Sequence, residues 1–575
     1  MTVANLAKFP SIDHSKEDQW AASATTFKPN PELFEEKWAG KIKAYNDTLE
    51  AAIPKEYLAP ADLVPKDLDS GHFNATLIPP KVLDPETLAI TELTAVEIVS
   101  KIASGELTSV AVLTAFIKRC TIAHQLTHCA MEILFDEGLK RAAELDDHFT
   151  KTGKTIGPLH GLPISLKEQH DYAGHITHRG YVALLDNIPD AMAITPQILY
   201  EQGAVFYVRT TEPQSLMHPD SVNFITGRGR NAVKTSMSPG GSSSGEGSII
   251  AMKGSPIGLG SDIGGSIRFP AAFNGVWGIK PTSLRLSGVG SSGAAETTVN
   301  FGVMPTVGPL ANSVEDLELF MKVYADSKPW LKDQSLAAIP WREIPEPKPS
   351  DLTIALVFDD GVVKPHPPNI RAMAEAEKKL KAAGFNVITW EPHRVHEAVE
   401  ITNSLFSADG NLAAKLKFAE SGEPLAPLTE YFLSVGRGDE GLNMLEYMTY
   451  IKDREVLRQQ YLTLFNERKV DFILTPTYVG VAPKPHTPKY WGYTSLWNIL
   501  DASCVTLPSG LFADKTIDLR DDTYKPRNKY EEYEYGLYDA EYADGLPIGL
   551  TVVGRRYTEE ECLKASKVIH GALTA

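Results

Sequence analysis

Hydrophobic positions change their period several times along the chain, and each change predicts an element. Over 30–53, Leu33, Trp38, Ile42 and Leu49 recur at helical spacing and proline-rich connections follow, so residues 1–90 read as a helical N-terminal extension packed on a larger body. From Thr91 the run ELTAVEIVSKIASGELTSVAVLTAFIKRC predicts two amphipathic helices broken at Gly105, each opened by a Thr or Ser cap. LPISL, ending at Lys167, then reads as a short buried strand, 191–202 as a helix and AVFYVRT at 204–210 as a strand. Alternation resumes further on with a capped helix in GPLANSVEDLELFMKVY, a strand in DLTIALVF, a helix in NIRAMAEAEKKLKAAG and a strand in FNVITW. EVLRQQYLTLFNERK, VDFILTP, GLPIGLTVVG and EECLKASKVIHGAL repeat the theme near the end. This order predicts an α/β fold over 91–575, a single large mixed β-sheet core covered on both faces by helices. The charged, tyrosine-rich 515–545 lacks periodicity and is predicted to be a surface loop or extended arm.

Composition narrows the function classes. With 43% hydrophobic and 22% charged residues in a chain of 575, there is ample material for a large core. A net charge of −17 and a pI near 5.4 argue against tracking phosphates, so no nucleic-acid partner is expected. The four cysteines show no metal-ligand spacing, and their sparsity suits a reducing compartment without disulfides. The first residues lack the basic start and apolar run of a signal peptide, and no stretch approaches the roughly 18 apolar residues of a membrane span. A cytoplasmic protein with no membrane partner is expected.

Between 238 and 280 glycine and serine reach a density that neither a core nor a solvated face requires. Two clusters carry it, GGSSSGEG at 240–247 and GSDIGGSIRFP at 260–270, joined by a short apolar segment. Glycine allows positive φ and close approach, so the amides of Ile263, Gly264, Gly265 and Ser266 can converge on a developing negative charge beside the Ser266 hydroxyl. A flexible linker is the plain alternative for GGSSSG, but linkers separate domains and this one lies inside a compact glycine rhythm. Lys167 at the end of a buried strand is equally out of place, since most lysines are solvated. Glu168, His170 and Asp171 read as supporting or turn residues, and the lone HxxH of His175 and His178 is too little for a metal site.

Taken together, GLPISLKE, SPGGSSSGEG and GSDIGGSIRFPAAFNGVWGIKPT resemble the amidase signature family of serine hydrolases, and the overall size resembles its acetamidase-type branch. The resemblance implies a Ser-cisSer-Lys triad in which Ser266 is the nucleophile, Ser242 relays protons after a cis peptide and Lys167 is the base. Lys167 and Ser242 are 75 residues apart and Ser242 and Ser266 are 24 apart, as the family requires. It further implies an oxyanion hole from Ile263 through Ser266, with Ser243, Asp262 and Arg268 supporting the loop. The chain departs from the family's GGSSGG at Ser244, which would narrow the pocket or alter a backbone angle. The expected reaction is hydrolysis of a small-molecule amide through an acyl-enzyme, with no cofactor and no metal. Leu216, Tyr478, Trp491 and Trp497 are candidate pocket walls. Esters and carbamates remain open as substrates, and a homodimer remains open as an assembly. Three other readings carry less: an α/β-hydrolase elbow with Ser243 as nucleophile, which needs a preceding strand that KTSMSPG does not supply; an amidotransferase subunit; and a non-catalytic binder.

Overall fold

A computed structural model describes residues 27–291, 293 and 302–575, so the first 26 residues of the predicted extension lie outside the described residues. The strands are β1 (Ala130–Ile133), β2 (Pro163–Lys167), β3 (Val205–Thr210), β4 (Val222–Asn223), β5 (Gly227–Arg228), β6 (Ile257–Asp262) and β7 (Trp277–Lys280). They continue with β8 (Thr306–Ala311), β9 (Thr353–Leu356), β10 (Asn386–Thr389), β11 (Phe472–Pro476), β12 (Cys504–Phe512) and β13 (Pro547–Val553). Eleven of them form one mixed sheet in the order β1-β3-β2-β6-β8-β7-β12-β13-β11-β9-β10, and β4 and β5 pair separately.

Alternation along the strands sorts their side chains onto two faces. Ile354, Leu474, Val505, Leu507, Leu550 and Val552 join one core with the helices Ala95–Ala103, Ser109–Thr127, Val314–Asp326 and Glu559–Thr574. Ala355, Ile473, Cys504, Ile548 and Val553 join a second core with Val395–Phe406, Met444–Glu467 and Gly492–Ile499. The sheet is therefore covered on both faces. Its strands are buried along their whole length in β2, β3, β6, β8, β11 and β13, and of these β2, β3, β11 and β13 read as short apolar runs.

The first predicted helices form where their caps stand. Thr94 accepts from the Glu97 amide while the Glu97 carboxylate accepts from the Thr94 amide, and Thr108 accepts from Ala111. The extension is a helix over Pro31–Phe34 and Gly40–Ala51 interrupted by a π turn at Glu35–Ala39. Its Trp38 packs with Val182, Leu185 and Ile225, and its Asn46 side chain donates to the Ile225 carbonyl at 2.7 Å.

The structure corrects the expectation for 515–545. Asn528 caps a helix at Lys529–Gly536 and Asp539 caps another at Ala540–Ala543, with Glu531, Glu534 and Tyr535 buried. Glu534 accepts from the Tyr478 hydroxyl at 2.8 Å and from the amides of Lys489 and Tyr490, so the segment is an internal strut with few apolar residues to show a period. The apolar link within the glycine-rich stretch is likewise a helix, Ser244–Ala251, and the capped helix expected within GPLANSVEDLELFMKVY forms at Val314–Asp326 behind Ser313, with GPLA in β8 before it.

Candidate active site

Two neighbouring strands deliver the functional groups to one edge of the sheet. β2 and β6 run parallel with Ile164 opposite Ile257, so Lys167 and Asp262 emerge together at their C-terminal ends, where α/β sheets bind ligands. Lys167 is fully buried, with Nζ 2.6 Å from Ser242 Oγ and 2.9 Å from Ser261 Oγ. Ser261 in turn donates to Gln169 Oε1 at 2.6 Å. Burial pulls Lys167 down to about 8, against the opposing charges of Glu212, Asp262, Glu246 and Glu168. The residue next to Ser242 is Gly241, and the peptide between them is cis.

Ser266 lies at the start of the turn leading into the helix Arg268–Asn274 and keeps 9% of its surface exposed. Its carbonyl accepts from the Ser243 amide at 3.0 Å, which ties the two serine clusters together. Ser266 and Ser242 are not hydrogen-bonded to each other among the described residues, which is common before substrate arrives, because catalytic contacts tighten in the complex. Asp262 shapes the turn. It accepts from the amides of Gly265 (2.9 Å) and Ile267 (3.1 Å), and from Arg268 Nε (3.0 Å) and Nη2 (2.9 Å). Burial opposes its charge, but Arg268 holds the Asp262 carboxyl down at about 2. Gly265 sits at φ 136°, where an added Cβ would overlap the Phe269 ring and lie 2.7 Å from Thr494 Oγ1.

The Gly265 amide is thus already given to Asp262, which leaves the amides of Ile263, Gly264 and Ser266 from the predicted set. Ser243 is fully buried, its Oγ accepting from the Ser261 amide at 3.1 Å and donating to the Ser261 carbonyl at 3.2 Å. No strand precedes it, so the elbow alternative has neither its backbone nor a free hydroxyl. Ser244 does not alter a backbone angle into the left-handed range; it opens the helix Ser244–Ala251 and donates to the Thr211 carbonyl at 2.9 Å.

The four wall candidates separate. The Trp491 ring faces Gly264, where an added Cβ would meet Cε3 at 2.9 Å, and it packs near Phe406 and Phe432. Leu216 is buried in the turn Gln214–Leu216 with φ 62°. Tyr478 and Trp497 are core residues instead: Tyr478 packs on Phe269 and Phe273, and Trp497 on Tyr461. Their rings read as wall candidates only because aromatics are frequent in both settings.

Sequence reasoning missed Ser261, Gln169, Glu212 and Glu246. Glu246 is buried, accepts from Ser165 Oγ (2.6 Å) and Thr210 Oγ1 (2.7 Å), and is pushed up to about 7 by burial. The available signal was an acidic residue inside an otherwise small and apolar stretch. His175 and His178 do not act together: His175 pairs with Glu132, and His178 faces Tyr45 and Glu168. Among the described residues, one group offers three ligand atoms to a metal, Glu168, His178 and Glu212. Both Glu168 oxygens already accept backbone amides, from His178 and Arg179, and the Arg209 guanidinium lies 3.7 Å away, a poor setting for a dication. All four cysteines are free and buried.

The family model for Amidase matches residues 111–563. The chain belongs to the amidase family. It is 38% identical over 558 residues to an amidase of Gibberella moniliformis, covering 94% of this chain and all of that one. To an acetamidase of Emericella nidulans it is 37% identical over 502 residues, 85% of this chain and 90% of the other. A solved fatty acid amide hydrolase is 43% identical and superposes with a TM-score of 0.93, covering 97% of this chain and 99% of that one. The family member described here hydrolyses an amide C–N bond. Among the described residues no helix is long and apolar enough to cross a membrane.

Proposed function

We propose that this amidase is a metal-independent serine hydrolase in which Ser266, Ser242 and Lys167 act as one proton-transfer unit. The observation that carries the reading is the fully buried Lys167 amine 2.6 Å from Ser242 Oγ, in a site that pulls the lysine down to about 8. A serine hydroxyl is a poor nucleophile until a base takes its proton, and only a neutral lysine can do so. In the first half-reaction Ser266 Oγ bonds to the amide carbonyl carbon, its proton passes to Ser242 Oγ, and the Ser242 proton passes to Lys167 Nζ. The oxyanion is received by the amides of Ile263, Gly264 and Ser266, while Gly265 supplies the bend that aims them. When the C–N bond breaks, Ser242 gives a proton to the departing amine and recovers one from Lys167. Water then cleaves the acyl-enzyme by the same relay in reverse.

Asp262 and Arg268 are read as the clamp that fixes the nucleophile's turn, and Ser243 as the peg between the two clusters. Trp491, Phe406 and Phe432 are read as an apolar wall for the acyl group, and Leu216 as a further substrate contact. The relatives' names range from an acetamidase to a fatty acid amide hydrolase, so a hydrolysis panel graded by acyl length ranks the substrates. The described part of the extension, 27–90, is read as an integral part of a single catalytic body, and a cytoplasmic location is supported by four unpaired cysteines. A fluorophosphonate probe followed by peptide mapping tests the core claim: an adduct on Ser266 alone is expected, and one on Ser243 would overturn the assignment.

A further inference from the structure

The proton relay leaves one buried acidic pair unused. Glu168 follows Lys167 at the end of β2, and Glu212 follows β3, the strand beside it. A carboxylate oxygen of each and a ring nitrogen of His178 lie within 4.8 Å of one another, and all three residues are fully buried. Glu168 is well answered by the amides of His178 (2.7 Å) and Arg179 (2.9 Å) and by Arg209 Nη2 at 3.7 Å. Glu212 is not: the Gln169 amide reaches its Oε2 at 3.1 Å, and no donor reaches its buried Oε1. What adjoins it instead is the Glu168 carboxyl, within hydrogen-bonding reach.

The charges around the pair do not supply a second cation for a second anion. Arg209 is shared with Glu132 at 2.7 Å. His178 is pushed down by burial and accepts the Gly180 amide at Nδ1, so at neutral pH it is an uncharged ring facing the Tyr45 hydroxyl. The remaining cation is Lys167, around which Glu212, Asp262, Glu246 and Glu168 are the acidic neighbours. Asp262 is bound to Arg268, and Glu246 is held by Ser165 and Thr210. Resting on the reading of Lys167 as the base, we propose that Glu212 and Glu168 share a single proton, so that the pair carries one negative charge beside Lys167 and leaves that base neutral. Two carboxylates in contact in a dry site with one shared guanidinium cannot both ionise. Burial and the Glu168 charge accordingly push Glu212 well up. A second anion there would hold Lys167 as an ammonium, and an ammonium cannot accept the proton of Ser242.

The shared proton predicts a sign pattern in the acid limb of kcat/KM for an aryl amide. Glu212→Gln mimics the protonated carboxyl and leaves the midpoint of the limb where it is. Glu168→Gln frees Glu212 to ionise, and Glu212 faces Lys167 more strongly, so the midpoint rises. The double variant removes the last charge of the pair and lowers the midpoint by about one pH unit, roughly tenfold in rate on the limb. A clear fall in Glu212→Gln alone would mean that Glu212 is ionised in the wild type, and would overturn the proposal. Glu168→Gln removes an acceptor for two buried amides, so a difference infrared spectrum of wild type against Glu212→Gln near pH 8 gives a second reading. Loss of a protonated-carboxyl C=O band is expected, and its absence would refute the shared proton. Persistence of the acid limb in Lys167→Met would instead sink the base assignment, while the infrared band still decides the pair.

Discussion

Lys167→Met should cost several orders of magnitude in kcat and, near neutral pH, leave the protein no less stable. The side chain is fully buried, and its fall from 10.5 to about 8, at about 1.36 kcal/mol per pH unit, corresponds to about 3 kcal/mol. The folded state has the lowered pKa, so between pH 8 and 10.5 the unfolded chain holds more protons and stability rises with pH. Below about pH 8 wild type therefore carries the whole penalty of burying an ionisable amine, and methionine carries none of it. Methionine also forfeits the hydrogen bonds to Ser242 and Ser261, about 1 kcal/mol each. The variant should accordingly lead by about 1 kcal/mol at pH 7 and trail by about 2 kcal/mol above pH 10.5. Parallel urea unfolding of both proteins by circular dichroism, at several pH values, measures the difference, and every group common to both cancels. A gap that stays constant from pH 7 to 10.5 would show that Lys167 is not perturbed by burial, and the argument for a neutral base would fall with it.

Wild-type kcat/KM should fall tenfold per pH unit below about 8 as Lys167 takes up a proton, and a rate flat down to pH 6 would contradict this. Gly265→Ala should lower kcat by about a hundredfold or more, because its Cβ overlaps Phe269 at φ 136° and displaces the oxyanion amides; activity within tenfold of wild type would count against the hole as assigned. Asp262→Asn leaves Arg268 buried without its anion and should cost about 3–5 kcal/mol, read as a drop in the unfolding midpoint. Prolonged chelation should leave the rate unchanged, and a loss rescued by added zinc would refute metal independence.

The sheet was legible where strands are continuous apolar runs, as at Pro163–Lys167, Phe472–Pro476 and Pro547–Val553. It was illegible where a strand is short and carries glycine or proline, as in β7 with Gly278 and β8 with Gly308 and Pro309, because the same letters mark turns. The strut at 515–545 failed for a different reason. Its helix is held by the polar groups of Glu531 and Glu534, whose buried bonds reach Lys364, Arg527, Tyr478 and Tyr490, and hydrophobic periodicity has no purchase on an element secured that way.

The site shows the same division more sharply. Serines and glycines packed far beyond the needs of a core, together with a lysine closing a buried strand, are chemically conspicuous in one dimension, so Lys167 and Ser266 stood out in the sequence, while Ser242 and the three roles came from the resemblance to the amidase signature family. Their electrostatic setting was not, because it is assembled from residues distant in the chain. Ser261 and Gln169 anchor the amine, and Glu246 lies beneath β2 between Ser165 and Thr210. Glu212 meets Glu168 only because β3 pairs with β2, and Gly265 surrenders its amide only because Asp262 folds back under it. A triad can therefore be nominated from letters and spacing, but whether its lysine is a base or an ammonium depends on how many anions the fold brings within reach and how many of those keep a proton. That quantity belongs to the packing of β2, β3 and β6, and in the proposed mechanism it decides whether Lys167 can take the proton of Ser242.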